Sequence, residues 1–79
     1  MRSQDLNDEI DKRYGNPAVF CGRVKQTLWD FGITQTALAR EAGYDLGNVN
    51  RWLNMRATPE LKAMLIIDEA LERLITEAT

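Results

Sequence analysis

Residues 35 to 54 read QTALAREAGYDLGNVNRWLN, and the spacing of apolar positions within them decides the fold. Leu38 and Ala39 lie one turn before Ala42, Gly43 interrupts the pattern, and Val49 and Trp52 resume an apolar i, i+3 stripe. The spacing predicts two short helices joined by a tight turn. Helices that cross at roughly 90 to 120° through such a turn need a small side chain where their axes approach, and Ala39 stands there. Gly43 takes the left-handed conformation that ends a helix abruptly, at less cost than a residue with a β-carbon. Asp45 fits as N-cap of the second helix, its carboxylate accepting from N–H groups of the first turn. With Val49 and Trp52 facing inward, Leu46, Gly47, Asn50, Arg51 and Asn54 fall on or near the outer face.

An outer face of Asn, Asn and Arg on an amphipathic helix suits base edges and phosphates. The segment resembles the helix-turn-helix of the Cro and C1-type repressor family, also called the XRE family. The resemblance rests on TQTALAREAG from Thr34 to Gly43 and NRWLN from Asn50 to Asn54, with matching positions at Gln35, Ala39, Gly43, Val49 and Trp52. RATPEL, from Arg56 to Leu61, is similar to the family's entry into its next helix, and the match runs from Phe20 to Met64. The chain departs from the pattern at Leu46 and Gly47, where the family often has polar residues, and at Met55, where it often has glycine. The resemblance implies an all-α, lambda-repressor-like domain of five helices spanning residues 1 to 79, with a central helix-turn-helix and a long C-terminal helix. It further implies a sequence-specific regulator of transcription that binds double-stranded DNA. The expected form is a dimeric repressor of the phage, plasmid or mobile-element type, occupying a palindromic operator.

The other helices follow from local signals. A first helix is expected over residues 3 to 14, with Ser3 as cap and Leu6, Ile10 and Tyr14 on one face; Gly15 ends it. Asn16 then Pro17 is a start signal, a capping side chain followed by a ring whose missing N–H costs nothing at the first helical position. Phe20, Val24, Leu28 and Phe31 mark the buried stripe of this second helix, and Gly32 stops it. Thr34 caps the third, to Ala42, and Asp45 the fourth, to Asn54. Thr58 and Pro59 repeat the cap-then-proline signal and open a last helix to about Thr76. Met64, Ile67, Leu71, Leu74 and Ala78 recur along it in threes and fours, flanked by Leu61, Leu65, Ile66 and Ile75. That is more apolar surface than a small core needs. Either the N-terminal helix covers it, or Met64, Ile67, Leu71 and Leu74 form a homodimer contact.

Individual residues divide by the partner they suit. Asn50 and Arg51 are expected to read bases, since Arg bonds guanine and Asn adenine bidentately. Leu46 suits a thymine methyl, and Gly47 a close approach of the helix start to the groove; both positions also tolerate a purely structural reading. Gln35, at a helix N-terminus that favours anions, is expected to bond phosphate. Arg40, Tyr44, Asn48, Asn54, Arg56 and Lys62 are the further phosphate candidates, Asn48 and Asn54 suiting a base edge equally. Trp52 reads as core and Cys21 as a small packing residue.

Composition bounds the rest. A chain of 79 residues makes one small domain with a marginal core, which favours association with a second copy. The net charge of −2 is unevenly spread. Residues 1 to 11 hold one cation against four carboxylates, net −3; residues 12 to 62 hold eight against four, net +4; residues 63 to 79 are again net −3. A basic centre between acidic ends suits a DNA-facing body. There is no histidine, no glycine-rich phosphate loop and no metal-ligand cluster, so neither catalysis, nor metal, nor cofactor, nor small-molecule ligand is expected. No apolar run suits a bilayer, no signal-peptide pattern opens the chain, and a lone cysteine forms no internal disulfide; a cytoplasmic location is expected. The alternative function is a protein-interaction module, antitoxin-like or accessory, that uses the apolar C-terminal helix.

Overall fold

A computed structural model describes residues 16 to 78 as an all-helical body, with no strand among the described residues. Its helices are α1 (Pro17–Phe31), α2 (Gln35–Ala42), α3 (Leu46–Leu53) and α4 (Leu61–Ala78). Four of the five expected helices are therefore present; the one expected over residues 3 to 14 lies outside the described residues.

The first three helices begin as their capping side chains dictate. Asn16 Oδ1 accepts from the Val19 N–H at 2.9 Å, Thr34 Oγ1 from Ala37 at 3.0 Å, and Asp45 Oδ2 from Gly47 at 2.9 Å. Each bond occupies a donor that the helix itself leaves without a partner. The ends are equally regular. Ile33 N–H returns to Leu28 C=O at 2.8 Å, Tyr44 N–H to Ala39 at 3.0 Å, and Arg56 N–H to Arg51 at 2.8 Å, each across a residue in the left-handed region. Those residues are Gly32 (φ 66°), Gly43 (φ 78°) and Met55 (φ 59°).

The start of α4 corrects the sequence expectation. Thr58 and Pro59 do not open it; Pro59 is buried ahead of the helix, and the first helical bond runs from Met64 N–H to Glu60 C=O at 3.0 Å. A proline held in the interior serves packing, so the helix begins two residues later, at Leu61.

One apolar core joins the four helices. Phe20, Cys21, Val24 and Leu28 come from α1, Leu38 and Ala39 from α2, Val49 and Leu53 from α3, and Met64, Ile67, Ala70 and Leu71 from α4. Helix α4 packs against α1 and α2, and α3 against the same two. Met64, Ile67, Leu71 and Leu74, expected as a homodimer contact, pack within the single chain. Met64, Ile67 and Leu71 are at most 7% exposed within the single chain, and Leu74 is half-buried against the same core. The physical reason is the brevity of α2 and α3, which bury two side chains each, so that α4 must supply the remainder. Phe31, expected in the buried stripe of α1, is exposed.

Candidate nucleic-acid interface

The core fixes which side of α3 faces out. Val49 and Leu53 lie one turn apart and are fully buried, while Trp52 is half-buried and meets the Tyr44 ring edge-on, centroids 5.1 Å apart. Gly47, Arg51 and Asn54, spaced i, i+4, i+7, are left to line the opposite side, with Asn50 beside them. Asn50, Arg51 and Asn54 are exposed, as is Leu46 at the helix start.

These polar side chains are joined to one another and to the flanking helices. Asn50 Nδ2 donates to Gln35 Oε1 at 3.1 Å, linking the exposed face of α3 to the first residue of α2. Asn54 Nδ2 donates to the Asn50 carbonyl at 3.0 Å, and Lys25 Nζ on α1 donates to Asn54 Oδ1 at 3.4 Å. Arg51 Nη2 donates to Asn48 Oδ1. One polar surface thus draws on three helices and carries a lysine, an arginine and four side-chain amides.

The expected site residues distribute unevenly over this surface. Gln35, Asn50, Arg51, Asn48 and Asn54 are brought together in it, and Leu46 and Gly47 stand at its edge, where α3 begins. Arg56 is exposed just beyond the end of α3. Tyr44 is half-buried with its ring against Trp52. Arg40 and Lys62 are exposed on α2 and α4, but nothing among the described residues ties them to this face. Helix α2 is instead held to α4 by Arg73, whose Nε donates to Glu41 Oε2 at 2.7 Å.

Two features escaped the sequence reading. Lys25 counted only toward the basic centre, although its position on the exposed flank of α1 is what lets it reach Asn54. Trp29 is 82% exposed and, with Lys25, Ile33 and Gln35, lines an open groove beside α2. Neither residue belongs to the helix pair, so the pattern of residues 35 to 54 had no means of including them.

Among the described residues no His, Cys, Asp or Glu cluster of a size to hold a metal ion occurs, and no helix is long and apolar enough to cross a membrane. Cys21, the one cysteine, is buried on α1, and burial pushes its thiol pKa up from 9.0. Comparisons with protein-family models, with curated proteins and with solved structures returned no match.

Proposed function

We propose that the chain is a helix-turn-helix DNA-binding regulator of the Cro and C1 type, a lambda-repressor-like protein that occupies a palindromic operator as a homodimer. The observation that carries this reading is the exposed face of α3, where Asn50, Arg51 and Asn54 stand over a buried apolar side, Asn50 bonded to Gln35, Asn54 to Lys25 and Arg51 to Asn48. In the proposed complex α3 enters the major groove. The N-terminus of α2, with Gln35, meets the flanking phosphates, where oriented N–H groups favour anions. Lys25 and Arg56 add positive charge along the same backbone. Two such units on one face of the duplex stand about 34 to 36 Å apart, and their occupancy excludes other proteins sterically.

The chemistry of the face favours binding over catalysis. The amides donate and accept hydrogen bonds and the guanidinium donates them, but neither exchanges protons near neutral pH, so the surface suits recognition. The alternative of a protein-interaction module rested on the apolar face of the C-terminal helix. Met64, Ile67 and Leu71 of that face lie inside the chain's own core, whereas Leu61, Leu65, Leu74 and Ile75 are partly buried against it.

Selection of the purified protein on random DNA duplexes, at two salt concentrations, tests the reading. The expected result is an enriched palindrome with half-sites about 10 to 10.5 bp apart. Sequence-blind binding that disappears with salt would reduce the interaction to phosphate attraction and overturn the proposal.

A further inference from the structure

Helix-turn-helix proteins read bases chiefly from the first turns of the recognition helix. In this chain that turn opens on Leu46 and Gly47, neither of which bears a hydrogen-bonding side chain, and the side-chain oxygen of its third residue, Asn48, is taken up by Arg51. The missing group comes from the next turn. Gly47 and Arg51 are four residues apart on one exposed stripe, and helical side chains lean toward the N-terminus, so that Arg51 lies back over position 47. A β-carbon placed on Gly47 would stand 3.8 Å from Arg51 Nη1, which is van der Waals contact. Arg51 Nη2 is at the same time held by Asn48 Oδ1, on the turn beneath.

We propose that Arg51 supplies the base-reading group at the start of α3, lying back over Gly47, which has no side chain to cover it, and that Asn48 is its positioning residue. The base it reads is guanine, whose O6 and N7 accept a bidentate pair from a guanidinium. Asn48 bonds one N–H and so fixes the plane of the fork, while the rest of Nη1 and Nη2 stays free to face the groove. This assigns Asn48 a task other than contact with phosphate. The inference rests on the DNA-binding reading.

The test uses the site selected by the full chain and a panel of duplexes in which each base pair of that site is changed singly. The wild-type protein should favour guanine at one position of each half-site by roughly tenfold or more. Arg51→Lys keeps the charge but has no fork, and should lose that preference while keeping its salt dependence. Asn48→Ala should weaken the same preference and leave discrimination at other positions intact. Asn48→Asp, which still accepts from Arg51, should retain the guanine preference with a uniformly lower affinity. If Asn48→Ala instead weakens binding equally on every duplex, or changes nothing, the positioning role is overturned while the DNA-binding reading stands. A wild-type protein that enriches no sequence at all overturns the reading, and this inference with it. Thermal melting of each variant separates loss of fold from loss of recognition, and Arg51→Lys, at an exposed position, reads the guanine contact while keeping the Asn48 side chain in place.

Discussion

Met55 carries a left-handed backbone at the place where α1 and α2 use glycine to end, with φ of 59° against 66° and 78° at Gly32 and Gly43. A side chain in that conformation costs about 1 to 2 kcal/mol, of which glycine gives back roughly 0.4 to 1 through its freer unfolded chain. Met55→Gly should therefore stabilise the protein by about 0.5 to 1 kcal/mol, read as a raised urea midpoint, and Met55→Ala should give no such gain. Gly47 is constrained for a different reason. An added β-carbon would stand 2.8 Å from Asp45 Oδ2, the atom that caps α3. Asp45→Ala is expected to cost about 1 kcal/mol in the wild-type chain but nearly nothing beside Gly47→Ala, where the carboxylate has already been displaced. Equal costs in both backgrounds would show that the carboxylate rotates without losing its bond. The Met55 departure from the family pattern was visible in the sequence. The tie between Gly47 and Asp45 was not, because a glycine two residues after a cap has no periodicity to betray it.

Among the elements, α2 was the most legible and α4 the least. The N-caps of α2 and α3 and the end of α2 at Gly43 follow from single residues, and local signals of that kind need no knowledge of the rest of the fold, whereas α3 ends on Met55, which carries no such signal. Leu53 stands one turn after Val49 and is buried where the i, i+3 spacing pointed to Trp52, because Val49 and Leu53 follow the i, i+4 spacing of the same helix face. Leu53→Ala should cost about 2 to 5 kcal/mol, measured by denaturant unfolding, whereas the half-buried Trp52 leaves part of its surface in water already. The Asn16–Pro17 signal opens α1, yet the same signal at Thr58–Pro59 does not open α4. Tertiary packing takes Pro59 into the interior, and sequence alone does not distinguish the two. Periodicity along α4 identified the correct residues but not what covers them. Leu71→Glu is accordingly expected to unfold the single chain, since it places a carboxylate at a site 7% exposed. A cooperative melt and full helicity in that variant, with only its mass in solution reduced, would restore Leu71 to an interface between copies.

At the scale of the whole molecule the net charge of −2 argues against DNA and the distribution of charge argues for it. Exposed charges are screened beyond about 8 Å at physiological salt, so the balance within the α3 face matters more than the total. That face carries Lys25 and Arg51, and the nearest carboxylate on α3's own flank, Asp45, is engaged with the Gly47 N–H. Three carboxylates, Glu69, Glu72 and Glu77, are exposed from the middle of α4 to its C-terminal end. Affinity for duplex DNA should fall steeply with salt, with a logarithmic slope of about −0.9 for each phosphate neutralised. Lys25 discriminates between two roles on this scale. Its Nζ lies 3.4 Å from Asn54 Oδ1, a distance long enough to be given up for a phosphate oxygen when DNA arrives. Lys25→Ala should then weaken binding to about the same degree on every sequence and reduce the magnitude of the salt slope by about one per chain. Were Lys25 only a brace for Asn54, the variant would keep the wild-type slope and instead alter which bases are preferred near the end of α3. Binding isotherms at four or five salt concentrations, on the selected site and on one scrambled duplex, separate the two roles.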